Sequence, residues 1–284
     1  MKPRSDAHAG SGSGQGGARA ITSLQNERVK LIRSLAMRKA RRETGLFVAE
    51  GAALLITARE AGWKPRIMAF LAGSAGSGVA RDLVRWAEAS GAECLEVSQA
   101  VLEKLAAKEN PQTLIGVFEQ AWAPLPDASA VAGEALWIGL EAIRDPGNLG
   151  TIVRTADAAG AGGIVLIGHC VDPYSHEAVR ASMGSIFNVP LARISVEEGL
   201  TWAKRWQGDI VGAHLAATED FRAAAYQQPT LLLMGSEGPG LSPELSAACT
   251  RRVKIPMTGR IDSLNLAVAT ALLAYEIRRA RLKL

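Results

Sequence analysis

Short apolar runs alternate with segments of helical pattern through the second half of the chain, and this alternation restricts the possible fold most strongly. Runs typical of strands occupy residues 136–140, 163–167, 210–213 and 231–234. Helical patterns follow the first two runs, one ending near Ala159 and one at 175–183. Parallel strands need such crossover helices, which cover both faces of their sheet. We therefore predict an α/β fold for residues 136–284, with a mainly parallel sheet and helices on both faces.

The first half also alternates strand and helix patterns. Residues 1–19 are rich in Gly, Ser and Ala and predict a disordered tail, after which a basic helical segment runs from Ile21 to about Arg42. Strand and helix patterns then alternate as far as Glu119, which predicts a smaller N-terminal α/β domain at residues 20–120. Residues 121–135 carry two prolines and little periodicity, and we interpret them as a linker.

The composition sets limits on the class of protein. The 284 residues are 48% hydrophobic, which is enough to fill a core in each of two domains. No apolar stretch reaches the roughly 20 residues that span a bilayer, and the first residues lack the apolar centre of a signal peptide. The three cysteines are far apart in sequence, so neither a disulfide framework nor a zinc site is expected. We expect a cytoplasmic protein with no metal and no membrane partner.

Three loop segments carry residue types that bring backbone groups against a ligand. D-P-G-N at 145–148 and G-S-E-G-P-G at 235–240 each follow a predicted strand, and I-P-M-T-G-R-I-D-S-L-N at 255–265 precedes a long apolar helix. Ligands of parallel sheets bind at the carboxyl ends of the strands. The binding site is therefore expected at that edge of the sheet.

The same segments carry a family resemblance. N-L-G-T-I-V-R-T-A-D-A-A-G at 148–160, L-M-G-S-E-G-P-G-L-S at 233–242, and I-P-M at 255–257 followed by S-L-N at 263–265 occur in this order, with R-A-S-M-G-S-I-F at 180–187 between the first two. Residues 136–284 thereby resemble the catalytic domain of the SpoU (TrmH) branch of the SPOUT RNA methyltransferases. Residues 21–118, with F-V-A-E-G at 47–51, are similar to the N-terminal substrate-binding domain found in that family.

The resemblance implies a methyl transfer from S-adenosylmethionine to a ribose 2′-hydroxyl of structured RNA. It implies a homodimer with a C-terminal trefoil knot, and it favours ribosomal RNA as the substrate, with transfer RNA as the alternative. The cofactor positions of the family fall on Gly235, Ile255 and Leu264. Its catalytic positions fall on Asn148, Arg154, Glu237, Ser263 and Asn265.

Each of these polar residues also has a simpler structural interpretation. Asn148, Ser263 and Asn265 each lie at the start of a predicted helix, where they could serve as N-caps. Arg154 could pair with Asp157 on an exposed helix face. Glu237 is either an acceptor for backbone N–H groups or a partner of Arg154 or of the substrate. Because the pKa of arginine lies above about 12, we favour Arg154 as a phosphate anchor over a general base.

Two helical segments point to partners. The basic segment has no acidic residue between its first and last cations. We expect these cations to contact RNA phosphates, although a charge run is often only a solvated face. They are Arg28, Lys30, Arg33, Arg38, Lys39, Arg41 and Arg42. The helix at 266–282 is apolar on more than one side and therefore needs two surfaces to bury it. The resemblance implies that one of them is a dimer interface, and burial in one large core is the alternative.

Two other functions fit parts of the pattern. One is an RNA-binding relative that has lost methyl transfer, and the presence of all five catalytic-type residues argues against it. The other is a dinucleotide-dependent oxidoreductase, but the first strand of the second half is not followed by G-x-G-x-x-G.

Overall fold

The computed structural model describes residues 18–106, 112–261 and 263–282, so residues 1–17 of the predicted tail at 1–19 lie outside it. The N-terminal domain contains five strands, β1 (Arg19–Ile21), β2 (Leu46–Glu50), β3 (Ile67–Leu71), β4 (Glu93–Val97) and β5 (Leu114–Glu119). Its helices are α1 (Glu27–Ser34), α2 (Arg38–Thr44), α3 (Ala52–Glu60), α4 (Gly78–Ala89) and α5 (Gln99–Leu105). The strands form a mixed sheet in the order β1-β4-β3-β5-β2.

The C-terminal domain is built on a seven-stranded sheet. Its strands are β6 (Leu136–Glu141), β7 (Gly163–Ile167), β8 (Leu191–Ile194), β9 (Asp209–Ala213), β10 (Glu219–Asp220), β11 (Thr230–Met234) and β12 (Arg251–Lys254). Its helices are α6 (Pro146–Ala158), α7 (His176–Ala181), α8 (Val196–Ala203), α9 (Pro243–Ala248) and α10 (Leu266–Ile277). The strand order is β10-β12-β9-β11-β6-β7-β8, and every pairing is parallel.

Helices cover both faces of this sheet, which confirms the predicted fold class. On one face, α6 and α10 bury Ile152, Val153 and Leu273 against alternate strand residues such as Leu232. On the other face, α8 and α9 bury side chains such as Trp202 against the intervening strand residues. None of the helices in the described parts of the chain is long and apolar enough to cross a bilayer.

The basic segment differs from the single helix that the sequence predicts. It forms β1, α1 and α2, and Arg19, the last residue of the predicted tail, begins β1. Asn26 caps α1 by accepting a hydrogen bond of 2.8 Å from the backbone N–H of Arg28. The helix ends near Leu35, whose carbonyl oxygen accepts a hydrogen bond of 2.8 Å from Nη1 of Arg41. A buried arginine thus satisfies the carbonyl groups at the end of α1, and this contact favours a break in the helix.

The predicted linker at 121–135 packs on the C-terminal sheet. Ala128 is fully buried beside Leu125 and Val131, in the same cluster as the side chains of α8. The indole N–H of Trp202 donates to the carbonyl oxygen of Pro126 over 2.8 Å. The segment therefore belongs to the surface of the C-terminal domain.

Aromatic side chains join the two domains. The ring of Phe47 in β2 lies 4.7 Å from that of Tyr174 and 5.9 Å from that of Phe187, measured between centroids. The indole N–H of Trp63 donates to the carbonyl oxygen of Phe187 over 2.8 Å. Aromatic pairs at these separations stabilise a contact beyond the area that they bury. The junction holds α2 beside the carboxyl ends of β7 and β8.

Candidate active site

A cavity of about 410 Å³ lies at the carboxyl ends of β9, β11 and β12. Two loops form most of its wall, one after β11 and one between β12 and α10. The lining residues are Asn148, Ala213, His214, Leu215, Met234, Gly235, Ser236, Glu237, Gly238, Gly240, Val253, Lys254, Ile255, Met257, Ser263, Leu264, Asn265, Leu266 and Ala269. Seven of the eight predicted catalytic and cofactor-binding residues are among them; Arg154 is not.

Three of these residues form a hydrogen-bonded chain across the cavity wall. Nδ2 of Asn265 donates to Oδ1 of Asn148 over 2.8 Å. Nδ2 of Asn148 in turn donates to Oε1 of Glu237 over 2.9 Å. Each of the three predicted segments contributes one member, so the network fixes their relative positions.

The Glu237 carboxyl is held in its charged form. Partial burial acts to raise its pKa, but hydrogen bonds from the Asn148 side chain and from the backbone N–H groups of Glu237, Arg144 and Asp145 outweigh burial. The result is a pKa below the ordinary value for a glutamate. Glu237 is therefore an acceptor in the site at neutral pH.

The hydrogen bonds at the starts of α6 and α10 show which of the predicted N-cap residues is a cap. Asn265 caps α10, because its Oδ1 accepts from the backbone N–H groups of Ala267 and Val268 at 2.9 and 3.2 Å. This leaves its Nδ2 for Asn148, so Asn265 is the predicted cap and is also part of the hydrogen-bonded chain in the cavity wall. The N-cap interpretation of Asn148 is wrong, since Asp145 caps α6 by accepting from the backbone N–H of Asn148 over 2.6 Å. Ser263 precedes the cap of α10 and lines the cavity.

Gly235 is required by the loop itself. A Cβ atom at this position would lie 1.9 Å from the carbonyl carbon of Gly240 and 2.0 Å from the backbone nitrogen of Leu241. Real Cβ contacts do not approach this distance, so any larger residue would push the loop after β11 out of position. The sequence predicts a ligand close to this glycine, whereas the structure shows close packing of backbone on backbone.

Arg154 lies apart from the cavity of its own chain. It is exposed on α6, and among the described residues it forms no ion pair with Asp157. The Asp157 carboxylate instead accepts a hydrogen bond of 3.0 Å from Nδ2 of Asn188. The ion-pair interpretation is therefore wrong for this structure, and the guanidinium faces solvent.

The seven basic residues that are predicted to bind RNA fall into three groups. Arg28, Lys30 and Lys39 are partly or largely exposed and pair with Glu93, Glu27 and Glu43. Arg33, Arg38 and Arg42 are exposed. Arg41 is a correction to the predicted RNA-binding set, because it is 4% exposed and its Nε lies 2.7 Å from Oδ2 of Asp172. A guanidinium that is buried and paired across the domain junction is not available to a phosphate.

His214 lines the cavity but is not among the site residues predicted from the sequence. It follows β9, and its Nδ1 accepts a hydrogen bond of 3.1 Å from the backbone N–H of Ala216. Its position directly after a predicted strand was the available signal. In a sheet of parallel strands, the residue after each strand belongs to the edge where ligands bind.

Comparison with known proteins identifies the family. The profile of the SpoU rRNA Methylase family matches residues 135–275, and that of the MRM3-like substrate binding domain matches residues 26–116. The chain is 34% identical to the 23S rRNA (uridine(2479)-2′-O)-methyltransferase of Streptomyces viridochromogenes, over 93% of each protein. The chain belongs to the SpoU rRNA methylase family. This confirms the resemblance seen in the three segments.

Further members of the SpoU family match over nearly the whole chain. The 23S rRNA (guanosine(2553)-2′-O)-methyltransferase of Bacillus subtilis is 29% identical over 91% of this chain and 98% of its own length. The crystal structure of the AdoMet-bound rRNA methyltransferase from Sinorhizobium meliloti superimposes with a TM-score of 0.86 at 40% identity, covering 94% of this chain and 100% of that one. Both domains of this SpoU protein therefore have counterparts in its relatives.

Proposed function

We propose that this protein transfers a methyl group from S-adenosylmethionine to a ribose 2′-hydroxyl of structured RNA, and that the RNA is ribosomal. The observation that carries this proposal is the hydrogen-bonded chain Asn265–Asn148–Glu237, which joins the three family segments at one cavity. The relatives named as 23S rRNA 2′-O-methyltransferases, which match both domains, support ribosomal RNA as the substrate.

The cavity fits the proposed cofactor. Its volume of about 410 Å³ falls in the range of small-molecule sites, which runs from roughly 300 to 1,000 Å³. Apolar side chains such as Met234, Leu215 and Met257 can pack against an adenine ring, while backbone groups of Gly235, Ile255 and Leu264 can bind its polar edge and the ribose. When bound, S-adenosylmethionine supplies an electrophilic methyl group.

The protein contributes orientation and charge. Asn148 and Asn265 are locked by their mutual hydrogen bond, so their positions are set before the substrate arrives. Ser263 lines the same wall and can donate to or accept from the ribose. Glu237 holds the Asn148 amide in one orientation. Exclusion of water by the loops would keep the hydroxyl oxygen as the acceptor of the methyl group. As the new O–C bond forms, the methyl–sulfur bond would break to leave S-adenosylhomocysteine, and the hydroxyl proton would pass to bulk solvent.

RNA is held outside the cavity by arginine and lysine side chains. Arg154 is exposed and lies outside the cavity lining, and it anchors an RNA phosphate next to the methylated nucleotide. Other phosphates lie along the basic residues of the N-terminal domain, Arg28, Lys30, Arg33, Arg38, Lys39 and Arg42. Residues 20–120 thus bind RNA and residues 136–284 carry the cofactor, with 121–135 between them. A cytoplasmic location suits this substrate.

A homodimer completes the proposal. On α10, Val268, Leu272 and Tyr275 are 49%, 40% and 47% exposed and lie three to four residues apart, while the opposite side of the helix is buried. Such an apolar stripe favours burial against a second copy. The trefoil knot of the family would carry α10 past the loop after β11, and the cavity between these two elements supports that path.

Sedimentation tests the dimer. Leu272→Glu should convert the dimer to a monomer, whereas Val79→Glu, at an exposed position on α4, should not. A wild-type protein that sediments as a monomer at all concentrations would contradict this part of the proposal.

Methyl transfer is tested with labelled S-adenosylmethionine and unmodified RNA of the source organism, followed by digestion to nucleosides. We expect label on the ribose of one nucleotide in 23S rRNA. Label on a base, or none on any ribosomal or transfer RNA, would refute the proposal, and label on transfer RNA alone would correct the substrate.

A further inference from the structure

A second cavity, which we call the junction cleft, lies between α2 and the carboxyl ends of β7 and β8. Its volume is about 260 Å³, and its wall includes Arg38, Arg42, Trp122, Asp172 and Arg193. None of these residues lines the proposed methyl-transfer cavity. The cleft is therefore a separate feature, built jointly by the two domains.

The junction cleft carries a surplus of positive charge. Within the described ranges, none of Arg38, Arg42 and Arg193 lies within 4.0 Å of a carboxylate oxygen. Asp172 is the acidic residue of the wall, and its Oδ2 already binds the buried Arg41 at 2.7 Å. Three guanidinium groups around one cleft, with the nearby carboxylate neutralised, form a site for an anion.

An oriented aromatic ring lies beside these cations. The guanidinium carbon of Arg193 is 4.5 Å from the centroid of the Trp122 ring. The Tyr174 ring meets the Trp122 ring edge-on at 5.4 Å, and the indole N–H donates to Oε1 of Gln120 over 3.3 Å. A half-buried ring held in this way, next to groups that bind phosphate, matches a nucleotide, which offers a flat base and an anion together.

The junction cleft and the methyl-transfer cavity share one face and one edge of the C-terminal sheet. Arg193 pairs with Leu166, whose side chain lies in the same core cluster as that of Met234, at the wall of the methyl-transfer cavity. Three strand spacings separate β8 from β11, which is roughly 15 Å because neighbouring strands lie about 4.8 Å apart. Stacked nucleotides rise about 3.4 Å each, so this distance corresponds to about four nucleotides.

The geometry points to the junction cleft as a second RNA subsite, which binds the base and phosphate of a nucleotide about four positions from the methylated ribose. This inference rests on the proposed function for the identity of the strand. The junction cleft increases the affinity for RNA and sets which nucleotide reaches the methyl-transfer cavity. It takes no part in the methyl transfer itself.

The test replaces the two exposed arginines of the cleft that make no hydrogen bond in the described chain. The double variant Arg42→Gln/Arg193→Gln is compared with Arg85→Gln, which removes an exposed arginine from α4. After the modified nucleotide has been mapped, two synthetic RNAs are used, one with two nucleotides on each side of the target and one with eight. Steady-state methylation, the Kd for S-adenosylmethionine and the salt dependence of RNA binding are measured.

We expect the double variant to raise the KM for the longer RNA about tenfold or more, with kcat and the Kd for S-adenosylmethionine unchanged. The slope of log Kd against log salt should fall by about one to two, because each lost phosphate contact removes close to one counterion. The shorter RNA, whose ends do not reach the junction cleft, should show a smaller rise in KM than the longer RNA. Equal KM values for the longer RNA in the double variant and in Arg85→Gln would overturn the inference, as would an equal loss on both RNAs.

Direct binding separates this inference from the proposed function. Fluorescence anisotropy with a labelled uridine 12-mer measures the cleft without catalysis, and uridine monophosphate and inorganic phosphate serve as competitors. Weaker 12-mer binding by the double variant, with a wild type that methylates no RNA, would refute the proposed function and leave the cleft as an RNA site. Unchanged 12-mer binding, or full competition by phosphate alone at low concentration, would refute the cleft as a site for the RNA strand.

Discussion

Asn265 donates a hydrogen bond of 2.8 Å from Nδ2 to Oδ1 of Asn148, across 117 positions of sequence. The other side of the Asn265 amide caps α10, so one side chain both starts a helix and ties it to α6. Neither amide can flip without losing a partner, because Asn148 also donates to Glu237. The start of α10 and Glu237 in the cavity wall are thereby held in a fixed relative position.

Asn265→Asp should separate the two roles of this residue. An aspartate keeps the acceptor for the backbone of α10, but it replaces the Nδ2 donor by an oxygen that faces Oδ1 of Asn148. We expect the free energy of unfolding to stay within about 0.5 kcal/mol of wild type while kcat falls tenfold or more. Ser195→Ala, which removes the capping box of α8 far from the cavity, should cost about 1 kcal/mol and leave kcat unchanged. The reverse pattern would mean that Asn265 is only a cap.

Asn148 and Glu237 should act as a unit in catalysis. We expect Asn148→Ala and Glu237→Ala each to lower kcat about a hundredfold, and the double variant to lose little more, because either change breaks the same chain. Removing the Asn148 donor should also raise the pKa of Glu237 toward its ordinary value. Methylation assays and a carboxyl carbon NMR titration measure the two effects. Additive losses in the double variant would show independent roles.

Arg154 should affect RNA and not the cofactor. Arg154→Ala should raise the KM for RNA and lower kcat, with no change in the Kd for S-adenosylmethionine, and Arg154→Lys should recover only part of the loss because it lacks the planar fork. Asp157→Asn should leave the kinetics unchanged, since Asp157 binds Asn188 instead of Arg154. A weaker affinity for S-adenosylmethionine in Arg154→Ala would contradict the role of phosphate anchor.

The Arg41–Asp172 pair should dominate the stability of the domain junction. Asp172→Ala leaves the buried guanidinium of Arg41 without its counter-charge, which we expect to cost about 3 to 5 kcal/mol of unfolding free energy. Asp82→Ala removes the exposed partner of Arg81 and should cost less than about 1 kcal/mol. Urea unfolding measures both, and equal losses would show that the buried pair contributes no more than a surface one.

His176 should make the junction sensitive to acid. Burial, with the nearby charge of Arg41, lowers its pKa, and its Nε2 has no hydrogen-bond partner within the described residues. In the unfolded chain His176 binds a proton near pH 6.5, and in the folded chain it does so only at lower pH. The contribution of His176 to the unfolding free energy is therefore constant above about pH 6.5 and decreases below it. Urea unfolding between about pH 7 and pH 5 should show this decline, and His176→Gln should flatten it. His214→Gln, at an exposed position, should leave the decline unchanged.

The site could be predicted in outline because its loops carry short-range signals. Gly, Pro, Ser and Asn clusters after apolar runs place Gly235 and Glu237 at strand ends, and an Asn before an apolar helix predicts the cap at Asn265. The short strands β8, β10 and β12 and the helices α8 and α9 were not predicted. Two to eight residues carry too few repeats for a periodic pattern to stand out.

The sequence by itself determined the α/β class, the parallel sheet and the family, because alternating periodicity and contiguous motifs depend on residues close along the chain. Only the tertiary structure decided that Asp145 and not Asn148 caps α6, that Arg41 is buried against Asp172, and that Arg154 is not among the residues lining the cavity of its own chain. These outcomes depend on which distant segments pack together, and the free energy of burial and pairing across such contacts outweighs local preference.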